Sequence, residues 1–367
     1  MSTDTSHSDL HLDLHLIQGQ HSFAEKEGFA LECGRLLRPV TIRYAMYGEP
    51  NAAADNVVLV CHALSGSAEV ASWWPELFDD ERLFGNGRYC VIGSNILGSC
   101  YGSTGPSAID PESGRPFGAN FPVVTVGDIV RAQRHLLEFL GIERVKLVIG
   151  GSIGGMQAIE WAIDYPQLVE HCVAIGAAPL GSMGLALNHL QRHVIRLDPK
   201  WQNGDYPPHD VPVKGLALAR EIAMCSYKSA ELFATRFGRN PNRNGEDPWT
   251  QPDGRFDVAG YLDYQGEKFV QRFDANSYLA ISKTMDSFDP VRSHGSPQAA
   301  YGRIRAHVTL VGISSDWLFP AADVRALGEQ FTAAGVLCEY HEIASSHGHD
   351  AFLAEPEKLA TILAAHL

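Results

Sequence analysis

The run Lys146-Leu-Val-Ile-Gly-Gly-Ser152-Ile-Gly-Gly-Met-Gln157 decides how the rest of this chain is read. A short apolar stretch ends at paired glycines, a serine follows in Gly-x-Ser-x-Gly spacing, and a helical pattern then runs to Tyr165-Pro166. A strand that turns sharply into a helix needs positions without side chains around the turn. Gly150 and Gly154 supply them, which lets the backbone fold about an exposed, strained Ser152. The start of the helix brings backbone N–H groups and the positive end of the helix dipole to the serine, where negative charge on oxygen is stabilised. The Ile153 N–H is the predicted first donor. The pentapeptide alone occurs often by chance; the strand before it and the helix after it make Ser152 a nucleophile candidate.

Working outward, other apolar runs end in Gly, Ser or Asn in the same way. Val57 to Cys61, Tyr89 to Gly93, His171 to Ile175, Val308 to Ile313 and Cys338 to Ile343 join Lys146 to Ile149 as predicted strands, with helical patterns between them. This alternation is the sequence form of an α/β fold, a mostly parallel sheet flanked by helices. Thr41 to Tyr47 and the segment before it predict antiparallel strands at one edge. Thr125 can cap a helix with Asp128 three residues on, and Ile129, Gln133, Leu136, Leu137 and Leu140 recur at helical spacing before Gly141. The alternation breaks between about Leu180 and Ser296. Helical patterns at Val213 to Tyr227 and Asp274 to Phe288 flank a polar stretch, Arg239 to Arg255, read as a surface loop. The chain is therefore expected to divide into a core, residues 1–180 and 297–367, and an inserted helical lid, residues 181–296.

An activated serine needs a histidine to take its proton and a carboxylate to orient that histidine, in the chain order serine, acid, histidine for a sheet of this kind. Asp316, in Ser314-Ser-Asp316-Trp-Leu-Phe-Pro320, follows a predicted strand and is the expected acid. After the next strand, Ala344-Ser-Ser-His347-Gly-His349-Asp350 offers two histidines. His349 adjoins a helical pattern and is preferred, although a loop could present either ring. A second oxyanion donor belongs in the loop after an earlier strand, and the Leu64 N–H in Cys61-His-Ala-Leu64-Ser-Gly-Ser67 fits.

Composition narrows the alternatives. The formal charge of -14 argues against a broad nucleic-acid surface, while leaving room for a local basic pocket that takes one anionic ligand. No apolar run reaches the length of a membrane span, and Met1 to Leu14 has no basic start followed by an apolar core, so a flexible leader and a cytoplasmic location are expected. Seven scattered cysteines without a Cys-x-x-Cys pair predict reduced, mostly buried thiols. The sixteen histidines include no His-Glu-x-x-His spacing, and no metal is expected.

Several motifs together resemble the homoserine O-acyltransferases of the α/β-hydrolase fold, which make acylhomoserine for methionine synthesis. They are Cys61-His-Ala-Leu-Ser-Gly-Ser67, Asn95-Ile-Leu-Gly-Ser-Cys-Tyr-Gly-Ser-Thr-Gly-Pro106, Gly150-Gly-Ser-Ile-Gly-Gly-Met-Gln157, Arg272-Phe-Asp-Ala-Asn-Ser-Tyr278 and Gly348-His-Asp-Ala-Phe-Leu353. The resemblance implies Ser152 as nucleophile, Asp316 as acid and His349 rather than His347 as base. It also implies that Arg220 and Asp350 bind the amino-acid substrate through its carboxylate and ammonium groups. Ile153 departs from the Met or Leu usual in relatives, which leaves its N–H unaffected. In succinyl-specific relatives the position of Leu318 tends to be arginine, so Leu318 points to acetyl-CoA as co-substrate, with no bound cofactor. Implied further are a homodimer joined through lid helices and small-molecule substrates. The open alternatives are succinyl-CoA as donor, serine as acceptor, or a serine esterase using the same three residues.

Overall fold

The computed structural model describes residues 15–79, 83–364 and 367; the leader expected at Met1 to Leu14 lies outside the described residues. Eight strands form the main sheet: β1 (Leu16–Phe23), β4 (Val40–Tyr47), β5 (Val57–Cys61), β6 (Cys90–Ser94), β7 (Val145–Gly151), β8 (Val169–Ile175), β9 (His307–Ile313) and β10 (Cys338–Ile343). A separate two-stranded ribbon pairs β2 (Phe29–Ala30) with β3 (Leu36–Leu37). The sheet order is β1-β4-β6-β5-β7-β8-β9-β10. β1 and β4 run antiparallel at the edge, as the sequence suggests, and every pairing from β6 to β10 is parallel. Strand starts differ from the expected ones by one or two residues, because Val145 and Val169 extend the buried faces of β7 and β8.

Helices cover both faces. α1 (Val126–Phe139) begins with the expected capping box: the Asp128 N–H donates to Thr125 Oγ1 at 3.1 Å and the Thr125 N–H donates to Asp128 Oδ2 at 2.9 Å. Its apolar stripe packs on α2 (Ile153–Asp164), whose Trp161 is fully buried and donates to Gln133 Oε1 at 2.7 Å. Burying the indole stabilises only because that N–H finds an acceptor. α8 (Pro297–Tyr301) and α9 (Ala321–Ala333) flank the β9–β10 end, and α10 (Ala351–Ala354) and α11 (Pro356–Leu363) close the chain on the opposite face.

Between β8 and β9 lie α3 (Ser182–Leu197), α4 (Val213–Tyr227), α5 (Ala230–Phe237), α6 (Asp257–Val270) and α7 (Ala275–Asp286). α3 and α4 pack together, α4 packs on α6, and buried Arg192 of α3 pairs with Asp286 of α7. The polar stretch at Arg239 to Arg255 is pinned at its end: Arg255 pairs with Glu246 at 2.7 Å and with Asp263 of α6. The cysteines are all free thiols, but only Cys61, Cys90 and Cys172 are buried, while Cys33 and Cys225 are exposed. The three buried thiols sit on β5, β6 and β8, whereas Cys100 and Cys338, the latter at the start of the edge strand β10, are half-buried.

Candidate active site

Ser152 sits at the junction of β7 and α2 with φ 60° and ψ -129°. This left-handed conformation costs a non-glycine residue about 1 to 3 kcal/mol, so the surrounding structure must hold it. It does so closely. The Ser152 N–H donates to the Ile175 carbonyl at 2.9 Å, and a side chain on Gly154 would place its Cβ 2.1 Å from the Cys61 carbonyl oxygen. Ser152 is 5% exposed and opens into a cavity of about 210 Å³ at the C-terminal ends of the strands.

Asp316 and His349 come together below this cavity. His349 Nδ1 lies 2.6 Å from Asp316 Oδ2, and the other carboxylate oxygen accepts from the Leu318 and Phe319 N–H groups, each at 2.9 Å. These contacts fix the carboxylate from behind. The His349 ring is buried, stacked on Phe319 and edge-on to Phe352, and its Nε2 has no hydrogen-bond partner among the described residues. Burial pushes the ring's pKa down, but the Asp316 charge and hydrogen bond, with Asp350 beyond, carry the net shift above the ordinary value of 6.5; Lys228 opposes them. His347 is half-buried and not among the residues that line the cavity; its N–H donates to Ser345 Oγ at 3.0 Å.

The cavity's upper wall is the loop after β5, from Ala63 to Gly66. His62 anchors this loop although sequence reasoning assigned it no role. Its Nδ1 lies 2.7 Å from the Ala63 carbonyl and its Nε2 accepts from the Ile96 N–H at 3.1 Å, which joins the loops after β5 and β6. Burial pushes this ring down to about 4, so it stays neutral.

The opposite wall comes from the helices between β8 and β9. Arg220 of α4 lies over the rings of Tyr227 and Phe269, at 5.5 and 5.0 Å from their centroids, and its buried Nε has no hydrogen-bond partner among the described residues. Asp350, next to His349, pairs with Lys228 at 2.8 Å. A guanidinium with no ion-pair partner among the described residues and a carboxylate thus flank the serine in one cavity.

The α/β hydrolase fold family model matches residues 56–356. The chain is 45% identical over 336 residues to a homoserine O-acetyltransferase of Symbiobacterium thermophilum, with 89% of this chain and 88% of the relative covered. The chain belongs to the homoserine O-acetyltransferase family. The crystal structure of homoserine O-acetyltransferase from Bacillus anthracis superposes with a TM-score of 0.87 at 25% identity, covering 96% of this chain and 97% of that one. The acetyl esterase MekB also superposes, with a TM-score of 0.77 at 26% identity, covering 96% and 95%. One backbone therefore carries both transferases and esterases, and the cavity wall must separate them.

Against that family background, the structure brings Ser152, His349, Leu64, Arg220 and Asp350 to one cavity, with Asp316 directly behind. Ile153 lies buried beneath the serine as the first residue of α2. Leu318 is the exception among the expected site residues. It is 4% exposed and packed in the core among residues of the main cluster, away from the cavity lining, and meets the site only through its N–H, which donates to Asp316 Oδ1. An acyl-discriminating contact at that side chain is not what this geometry offers. Besides His62, sequence reasoning missed Tyr227, Trp73 and Lys228. Arg272 belonged to a quoted motif without a role; it donates to the Ser65 carbonyl at 2.8 Å and to the Tyr101 hydroxyl at 2.6 Å, tying the α6–α7 turn to the loop after β5.

Proposed function

We propose that this chain transfers an acetyl group from acetyl-CoA to the hydroxyl of L-homoserine through an acyl-enzyme on Ser152. The observation that carries the reading is the opposed pair, Arg220 and Asp350, in the cavity of the serine. An esterase needs a serine and an oxyanion site; only an amino-acid acceptor calls for a carboxylate-binding guanidinium and an ammonium-binding carboxylate at fixed separation.

In the first half-reaction His349 Nε2 takes the Ser152 proton as Oγ attacks the thioester carbonyl. The oxyanion points to the Leu64 and Ile153 N–H groups, the carbon–sulfur bond breaks, and the leaving thiolate recovers the proton from His349. In the second, the acceptor's hydroxyl loses its proton to His349 and its oxygen attacks the acyl carbon. Ser152 Oγ leaves and takes the proton back. Arg220 holds the acceptor's carboxylate, and Asp350 shares its charge between Lys228 and the ammonium. The helices over residues 181–296 act as a lid that narrows the water path to the acyl-enzyme, above a core of residues 1–180 and 297–367. The chain needs no metal, works as a cytoplasmic homodimer and takes small molecules as its substrates.

A thiol-release assay with acetyl-CoA and succinyl-CoA, each alone and with L-homoserine or L-serine, tests the reading, with Ser152→Ala as blank. The expected result is acetyl-CoA turnover that depends on L-homoserine. Turnover independent of any acceptor would replace the transferase with a hydrolase, and a preference for succinyl-CoA or serine would replace the substrates.

A further inference from the structure

A second cavity, of about 650 Å³, adjoins the one that holds Ser152 and shares with it Ser65, Gly66, Trp73 and Arg272. It lies at the same edge of the sheet. Arg43 of β4 forms part of its wall beyond the C-terminal end of β6, where the Asn95 N–H donates to the Arg43 carbonyl at 2.8 Å. Neither Arg43 nor Arg272 forms an ion pair among the described residues, and the Arg43 guanidinium has no hydrogen-bond partner there. Among the described residues of the wall the one carboxylate, Glu69, already accepts from Gln18 at 3.0 Å. In a chain of formal charge -14, two guanidiniums without carboxylate partners on one wall make a local cationic site.

The stem of Arg43 is also seated. Gly102, at φ +95°, leaves so little room that a Cβ there would come within 2.8 Å of Arg43 Cδ. A larger, more apolar cavity of about 710 Å³ lies near the inserted helices, but it shares only Arg272 with the serine's cavity, and its Arg115 is taken by Asp205 at 2.7 Å.

We propose that the Arg43 cavity is the subsite for the phosphate-bearing end of the acyl donor. This rests on the thioester reading above and adds where the nucleotide end goes. The acyl group reaches Ser152, the uncharged arm passes Gly66 and Trp73, and the phosphates meet Arg43. Guanidinium–phosphate contacts of this kind are charge-assisted and can be bidentate, so their loss is selective for donors that carry phosphate.

The test compares acetyl-CoA with S-acetylpantetheine, which has the same thioester and arm but no nucleotide, on wild type, Arg43→Glu and Arg43→Lys. Arg43→Glu is expected to raise KM for acetyl-CoA about tenfold or more, while KM for S-acetylpantetheine and for L-homoserine stays within about twofold. Arg43→Lys should recover much of the loss. An equal effect on both donors, or none on acetyl-CoA, overturns the subsite. Calorimetric titration of CoA and of pantetheine into the Ser152→Ala protein, with and without Arg43→Glu, separates this from the reaction itself. A wild type that turns over neither thioester with L-homoserine would sink the transferase reading, yet Arg43-dependent binding of CoA would still sustain the site; CoA binding indifferent to Arg43 would end it.

Discussion

The two walls of the serine's cavity are built from different materials. The wall formed by the β7–α2 turn and the loop after β5 is backbone, glycine and a neutral histidine, packed so tightly that a methyl group at Gly154 would overlap the Cys61 carbonyl. The wall from α4 and the segment after β10 is charge: Arg220 between aromatic rings, and Asp350 held by Lys228. The first wall can serve any acyl group and any acceptor. The second can serve only an acceptor with matching charges.

If that division of labour is right, variants on the two walls separate kinetically. Ser152→Ala should lose roughly 10⁵-fold or more in kcat and abolish the mass shift of an acyl-enzyme; retention of the shift would place the nucleophile elsewhere. Arg220→Ala should lower kcat/KM for L-homoserine by about 10²- to 10³-fold, while single-turnover acylation by acetyl-CoA stays near wild type. Equal damage to both half-reactions would erase the distinction between the walls. His62→Ala belongs to the other wall and should slow acylation about tenfold or more through a displaced Leu64 N–H, equally for every acceptor. A loss that depended on the acceptor would move His62 into the clamp.

The smallest effect concerns pH. His349 acts as a base when neutral, and its pKa is raised above 6.5, so activity should climb as pH rises through that raised value. Lys228→Met removes a positive charge that holds the ring down, so the acid limb should move to higher pH by less than about one unit. An unmoved limb would show that Lys228 does not reach His349. His62 and His349 also affect stability with opposite sign. The depressed His62 makes folding less favourable as pH falls from 6.5 to about 4, since only the unfolded ring gains a proton readily. The raised His349 contributes stability that is complete below 6.5 and is lost as pH rises through its folded value.

The same contrast explains what the sequence could reveal. A tight strand-to-helix turn has a steric cause that leaves a local mark, so Ser152 and its glycines were legible, as were the capping box at Thr125 and the strands that end beside Asp316 and His349. Arg220 had no such mark. A cation on an amphipathic helix reads the same whether it meets water or a substrate, and only the resemblance singled it out. Lys228 and His62 act through partners distant in the chain, Asp350 and Ile96, which neither spacing nor periodicity encodes. Leu318 shows the reverse failure: the resemblance alone gave it a place beside the acyl group, whereas its side chain packs in the core and only its N–H serves the site, through Asp316.

The position of the inserted helices has a consequence for exchange between relatives. β8 and β9 are direct neighbours in the sheet, paired from His171↔His307 to Ile175↔Val311, although the whole helical segment lies between them in sequence. The segment therefore leaves and rejoins the scaffold at adjoining strands. A graft from an esterase of this fold could be joined there without altering the register of any strand that carries Ser152, Asp316 or His349; Arg220 and Lys228 would leave with the exchanged segment while Asp350 stayed with the core.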